Sequence, residues 1–262
     1  MNNSKTVVIV PTYNEAENIR RLALQILAIS IPIDVIIVDD NSPDGTGDIA
    51  DRLATHNLRI HVIHRQGKLG LGTAYIVGFK YALANGYSQI MTMDADFSHP
   101  PHSIPAMVEK TRSDADVVIG SRYVKGGKTH GCTLARKMLS WGANAFAKSL
   151  LGLRAIDCTA GFRCYRREVL ETIDLDSIVS NGYSFLIEML YRCQRRGYRV
   201  SELPILFENR RLGISKISRQ EIVKALHTVF RLGKERLYRP HRTERTQEDM
   251  YHDPAEQTNA LS

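Results

Sequence analysis

Short apolar runs alternate along the first half of the chain with longer stretches in which apolar residues recur three or four positions apart. Lys5 to Val10 is a β-branched run closed by Pro11. Asn14-Glu-Ala-Glu17 then resembles a capping arrangement, opening a helix with Ile19, Leu22, Ala23, Ile26 and Leu27 on one face. The unit repeats. Val35 to Val38 runs into Asp39-Asp40 and a helix from about Thr46; Arg59 to His64 precedes a glycine-rich turn and a helix ending at Gly86; Gln89 to Met93 and Val117 to Gly120 add two more strands. Near-continuous apolar strands alternating with helices predict an α/β fold: a mostly parallel central sheet with helices on both faces and ligands bound beyond the strands' carboxyl ends. Pro11, Asp40 and Asp94 all fall at such ends.

After Arg122 the rhythm loosens. Residues 125 to 131 hold three glycines and read as a flexible loop, Leu134 to Leu151 as a helix, Phe162 to Tyr165 as a strand, Tyr183 to Arg196 as a helix closed by Gly197, and Arg199 to Phe207 as a late strand. In Ile217 to Leu237 one more helix gathers Ile222, Val223, Leu226, Val229, Phe230, Gly233 and Leu237 on one face, while Arg219, Lys224, Arg231, Lys234 and Arg236 fall largely elsewhere. That stripe suits either a helix lying at a lipid interface or one packed on the core. The organisation expected is a main domain over 1–216, the basic amphipathic helix over 217–239 and a hydrophilic, disordered tail over 240–262.

Composition narrows the class. At 262 residues and 43% hydrophobic content the chain can bury a sizeable core. Cys132, Cys158, Cys164 and Cys193 show neither metal-site spacing nor scaffold density, which favours a reducing compartment. No run approaches the roughly 18 apolar residues of a membrane span, and residues 1 to 5 lead into no signal region, so a cytoplasmic protein is expected. The net charge of +7 is concentrated between Arg210 and Arg245, where eleven Lys and Arg face three Asp and Glu; the remainder is close to neutral. Without interleaved aromatic platforms that block argues against nucleic acid and leaves an anionic membrane surface, an acidic ligand or merely a solvated face.

The chemistry-bearing feature is Gln89-Ile-Met-Thr-Met-Asp94-Ala95-Asp96, a buried strand ending in two carboxylates one residue apart, with Phe97-Ser98-His99-Pro100-Pro101 turning the chain behind them. Carboxylate oxygens so presented suit a hard divalent cation, Mg²⁺ or Mn²⁺. Alone, the pair could equally be two solvated turn aspartates; its neighbours change that.

Pro11-Thr-Tyr-Asn-Glu15, Asp39-Asp-Asn-Ser-Pro-Asp-Gly-Thr46, Gly70-Leu-Gly72, Met93 to Pro101, Ser121-Arg-Tyr123, Asp157-Cys-Thr-Ala-Gly-Phe-Arg163, Gly182 to Glu188 and Asn209 to Lys216 together resemble glycosyltransferase family 2, and within it the polyprenol/dolichol-phosphate mannose synthases. The resemblance implies a GT-A fold and inverting transfer of mannose from GDP-mannose to a polyprenyl phosphate, with another nucleotide-sugar as the rival donor. It also implies site residues. Pro11, Tyr13, Glu15, Val38 and Asp40 would line the base and ribose pocket; Asp94, Ala95 and Asp96 would meet the sugar-nucleotide and metal. Ser98 would be a third metal ligand where many relatives carry the longer glutamine. Arg210 and Lys216 would close over the donor diphosphate, and Arg122 and Arg136 would grip the acceptor phosphate. Asp157 is open between a catalytic role and pairing with an arginine. His99 reads as structural, Gly70-Leu-Gly72 as a tight turn, and Glu188 as a core carboxylate needing a basic partner. A phosphate acceptor is already ionised, so such transfer needs alignment and charge shielding rather than a strong base. The lipid acceptor implies peripheral attachment to the cytoplasmic face of a membrane through the C-terminal helix, or through a membrane-protein partner of the kind some relatives use.

Overall fold

A computed structural model describes residues 5–209 and 219–238, without the side chains of residues 135, 136, 219–222 and 238. Arg210, Lys216 and the tail beyond Pro240 lie outside the described residues, as does the Arg136 side chain.

In chain order the elements are β1 (Thr6–Thr12), α1 (Ile19–Leu27), β2 (Ile33–Asp39), α2 (Thr46–His56), β3 (Ile60–His64), α3 (Leu71–Ala84), β4 (Gln89–Thr92), α4 (Ile104–Ser113), β5 (Val117–Ser121) and β6 (Lys128–His130). There follow α5 (Leu134–Leu151), β7 (Arg163–Arg166), α6 (Arg167–Thr172), α7 (Tyr183–Arg195), β8 (Val200–Pro204), β9 (Leu206–Glu208) and α8 (Arg219–Tyr238). Seven strands form one sheet in the order β3-β2-β1-β4-β7-β5-β8. All neighbours pair in parallel except at β7, which runs against both β4 and β5.

Strand alternation divides the core. Val8 and Val10 of β1 point to one face of the sheet with α1, α2 and α4, while Val7 and Ile9 point to the other with α3, α6 and α7. A third cluster joins Ala147 and Leu151 of α5, Ile187 and Leu190 of α7, and Val229 and Leu232 of α8. Of the α8 stripe Val229 and Gly233 are packed, while Val223, Leu226, Phe230 and Leu237 remain exposed. No helix among the described residues is long and apolar enough to cross a membrane.

Three local readings need correction. Strand β1 continues through Pro11 to Thr12, because the proline sits where the ladder next to β2 tolerates it at the strand's end. Asn14 does not cap α1: it adopts φ 58°, and Asn18 is the N-cap, its own N–H bonded to Glu15 O at 2.9 Å. The 125–131 segment contains β6, which pairs in parallel with β9, so the single late strand expected over 199–207 is split between two sheets.

Candidate active site

The carboxyl ends of β1, β2, β4 and β5 open on one cavity of about 630 Å³ whose wall includes Pro11, Tyr13, Glu15, Asp40, Asp94, Ala95, Asp96, Ser98 and Arg122. Nine of the residues singled out in the sequence thus meet at one place. Val38 does not join them: the pleat of β2 turns its wholly buried side chain into the core beside Ala74 and Tyr75.

On the β1/β2 side, Asp39 knots the strand ends, accepting from Thr12 Oγ1 at 2.8 Å, Ser42 N at 3.0 Å and Ser42 Oγ at 2.6 Å. Asp40, next along, faces the cavity. Its Oδ2 accepts from Leu69 N at 3.1 Å and Gly70 N at 3.3 Å, which ties β2 to the turn before α3. Gly70 adopts φ 97°, a conformation that a side chain would strain, so the glycine belongs to that turn. Arg65 Nη1 stands 2.8 Å from Asp40 Oδ1, close enough to pair charges but not aligned for a hydrogen bond. This buried oxygen therefore has no hydrogen-bond donor among the described residues. Burial raises the Asp40 pKa, opposed by the Arg65 charge and the two backbone donors. Lys68, overlooked in the sequence although it stands just before the glycine turn, lies 4.4 Å over the Tyr13 ring and also lines the cavity.

At the end of β4, Asp94 Oδ1 accepts from Tyr75 Oη at 3.1 Å. Tyr75 is buried in α3 between Phe79 and Phe185, at ring distances of 6.3 and 6.0 Å. Burial, then the Asp94 charge, raises its phenol pKa well above the usual value, so it stays a proton donor. Asp96 Oδ1 accepts from Ser98 N at 3.1 Å, closing a turn in which Phe97 takes φ 59°, an expensive conformation for an aromatic residue. His99 is structural, as its position suggested: its ring stacks on Phe162 at 5.3 Å and its Nδ1 accepts from Asp94 N at 3.3 Å. Gly161 lies opposite the carboxylate, where a Cβ would come within 3.4 Å of Asp94 Oδ1.

The two carboxylates fit a hard divalent cation by donor type, and the missing Cβ at Gly161 leaves room beside them. Among the described residues no cluster of three His, Cys, Asp or Glu exists, so such a cation would complete its shell from substrate oxygens, water or the Ser98 side.

Across the cavity Arg122 and Asp157 form a fork. Arg122 donates through Nε to Oδ2 at 2.8 Å and through Nη2 to Oδ1 at 2.6 Å, and its backbone N adds a third bond to Oδ2 at 3.0 Å. Nη2 also donates to Thr159 Oγ1 at 2.8 Å. Burial works against the guanidinium charge, but the Asp157 bonds and charge outweigh it and raise the Arg122 pKa. Of the two roles open to Asp157, arginine pairing is the one seen. Glu202 accepts from the backbone of Ile156 and Asp157, and Asn144 of α5 bridges Cys158 N and Thr159 Oγ1. These supporting residues carry no local sequence signal, because their partners are distant in the chain. The Cys158, Cys164 and Cys193 thiols, pushed up to about 12 by burial, stay protonated and are not nucleophiles.

Glu188 has the basic partners it requires: Arg192 at 2.6 Å and Arg231 of α8 at 2.5 Å, with Ser180 as a further donor. Burial raises its pKa, but these partners together win and lower it. Arg231 is thus turned inward, away from any lipid surface. Arg236, exposed, donates to Leu150 O at 3.0 Å.

The glycosyl transferase family 2 model matches residues 7–174, a span that contains β1 through β7 and both carboxylates. The chain belongs to that family. It is 46% identical over 230 residues to an undecaprenyl-phosphate mannosyltransferase of Micrococcus luteus, covering 87% of this chain and 94% of the relative. It is 44% identical to a polyprenol monophosphomannose synthase of Mycolicibacterium smegmatis, covering 87% of each. Among solved structures, glucosyl-3-phosphoglycerate synthase from Mycobacterium tuberculosis, in complex with phosphoglyceric acid, shares the GT-A fold at TM-score 0.63 and 17% identity, over 87% of this chain and 81% of that one. The same enzyme with Mn²⁺, UDP and phosphoglyceric acid gives TM-score 0.63 and 19% identity, over 87% and 79%. The protein is therefore a glycosyltransferase of GT-A fold.

In a family 2 enzyme the Tyr75 bond has a readable consequence. Tyr75→Phe should lower turnover about tenfold or more, the value of one hydrogen bond to a charged group, while the packed ring keeps the melting temperature within a few degrees. Steady-state kinetics beside thermal melting check this; unchanged turnover would make Tyr75 a core residue only.

Proposed function

We propose that the protein transfers mannose from GDP-mannose to a polyprenyl phosphate, with inversion at the sugar's anomeric carbon, at the surface of a membrane. The observation that carries the reading is the mixed lining of the cavity. Its wall combines Asp94, Asp96 and Asp40 with Leu139, Ala143 and Phe146 of α5 and Leu226 of α8, and includes Arg122. The carboxylates suit a water-soluble donor and the apolar side chains an isoprenoid acceptor. The two mannosyl-transferring relatives support the sugar and the lipid carrier.

On the donor side, the unsatisfied Asp40 Oδ1 suits a base with a ring N–H, which guanine and uracil have and adenine lacks, so the choice of guanine rests on the mannosyl-transferring relatives. Tyr13 and Pro11 border the same space. Asp94 and Asp96 would hold Mg²⁺ or Mn²⁺, which when bound supplies positive charge against the departing diphosphate. Arg210 and Lys216 would add to that charge.

On the acceptor side, a phosphate oxygen attacks the anomeric carbon as its bond to the diphosphate breaks, one displacement that inverts the centre. The acceptor is already an anion at neutral pH, so Arg122 and Arg136 need only attract and align it. Because Asp157 occupies one edge of the Arg122 fork, that residue meets the phosphate already oriented rather than as a mobile cation. The exposed part of α8 contributes membrane contact, with or without a membrane-protein partner.

Purified protein incubated with labelled GDP-mannose, GDP-glucose, UDP-glucose or UDP-galactose, a polyprenyl phosphate and Mg²⁺ or Mn²⁺ tests the reading. The expected product is polyprenyl-phosphate mannose from GDP-mannose, absent when metal is chelated. A lipid-linked hexose formed preferentially from another donor would overturn the mannose assignment, and no lipid product from any donor would overturn the acceptor.

A further inference from the structure

Helix α5 buries Asn144, Ala147 and Leu151. About a third of a turn round the helix, Leu134, Met138 and Trp141 stand 74%, 65% and 65% exposed on one face. The sequence of α5 contains Arg136, Lys137 and Lys148 and no acidic residue. The apolar surface continues onto α8, where Phe230 meets Phe146 edge to face at 5.7 Å and Val223 is also exposed. Lys224 and Lys234 of α8 are exposed beside it. Residues of the same two helices also line the cavity.

We propose that the outer face of α5, centred on Trp141, is the surface by which the protein lies on an anionic lipid leaflet, with α8 as its continuation. The proposal rests on the lipid acceptor of the preceding subsection for its purpose. Contiguous exposed apolar side chains with a basic rim need an occupant that is apolar within and anionic at its edge. A lipid leaflet is both. A second copy related by two-fold symmetry would bring one basic rim against another, which is repulsive. An amphipathic helix inserts only to the boundary of headgroups and acyl chains, where an indole is favoured, and nearby basic residues add attraction to anionic headgroups. Since α5 and α8 also wall the cavity, an acceptor would enter from the leaflet without crossing open water. The docking role expected of α8 alone thus becomes shared with α5, because Arg231 of α8 is committed to the buried Glu188.

Trp141 is the chain's one tryptophan, so tryptophan emission, excited apart from that of the tyrosines, reports on this face alone. With vesicles of phosphatidylcholine and phosphatidylglycerol at low salt, emission should shift to the blue and be quenched by brominated acyl chains. Neutral phosphatidylcholine vesicles or 1 M salt should weaken both effects. Leu134→Ser/Met138→Ser, which keeps the tryptophan, should weaken vesicle binding by at least about tenfold while leaving the melting temperature and turnover of a short, water-soluble isoprenyl phosphate unchanged. Co-sedimentation with unaltered Trp141 emission, absence of binding to any vesicle, or emission already blue-shifted in a stable dimer would each overturn the proposal. Vesicle insertion in a protein that transfers no sugar to either acceptor would support this surface while counting against the proposed function.

Discussion

Asp96→Asn and Asp94→Asn should each lower transfer by about a thousandfold or more at saturating metal, with circular dichroism and melting temperature close to those of the parent. The substitution keeps side-chain volume and removes one negative charge from a cavity wall where two carboxylates stand one residue apart. Local structure should survive both changes. Asp94 accepts from the buried Tyr75 phenol, and an amide there can turn its oxygen to keep that donor. Asp96 accepts from Ser98 N, and an asparagine oxygen can keep that bond and the Phe97 turn with it. Mn²⁺ binding in the presence of GDP, followed by electron paramagnetic resonance, should be lost in both variants alongside activity. Retained turnover in either would remove that carboxylate from the reaction.

The largest effect on stability is expected at Asp157. Its side chain is wholly buried and takes three donors from Arg122, so Asp157→Ala leaves a guanidinium that is only 15% exposed without its counter-charge. Breaking a buried pair costs about 3–5 kcal/mol; with the partial exposure of Arg122 the lower end applies, a fall of roughly 6–12 °C in melting temperature for a chain of this size. The double variant Arg122→Met/Asp157→Leu, which removes both charges, should recover much of the stability and none of the transfer. That contrast separates the structural part of the pair from the functional part. A loss below about 1 kcal/mol in Asp157→Ala would show that Arg122 finds water or another acceptor, and would weaken the view that Asp157 orients it.

The sequence displays what is local. Helix α5 runs over Leu134–Leu151 as its periodicity indicates, the β-branched runs become β1, β2 and β5, and Asp94 and Asp96 are adjacent enough for their shared cavity to be expected. What it hides is pairing across distance. Asp40 meets Arg65 twenty-five positions on, and Arg122 meets Asp157 thirty-five on, contacts that no spacing rule indicates. Tyr75 looks like any core aromatic until β4 brings Asp94 to its hydroxyl. Lys128-Thr-His130 is polar and flanked by glycines, so only its ladder with β9 makes it a strand. Nor does an apolar run state its direction, which is why the reversal of β7 was not visible.

That reversal has a consequence for how such an enzyme can change. Thr92, at the carboxyl end of β4, pairs with Arg163 at the beginning of β7, and Arg163 pairs in turn with Ile119 of β5. The chain between residues 122 and 162 therefore departs from and returns to neighbouring strands at the same edge of the sheet. That excursion contains Arg122, β6, α5 and Asp157, and with α7, α8 and Ile205, Phe207 and Asn209 it supplies the cavity wall beyond the first four strands. A parallel strand in this position would have started at the opposite edge, stranding Asp157 and Gly161 far from Asp94. Because its two ends already meet, the excursion can be exchanged as a cassette at small cost in loop closure. Under the proposed assignment, new acceptors can then be acquired without redrawing the part of the site between Pro11 and Asp96.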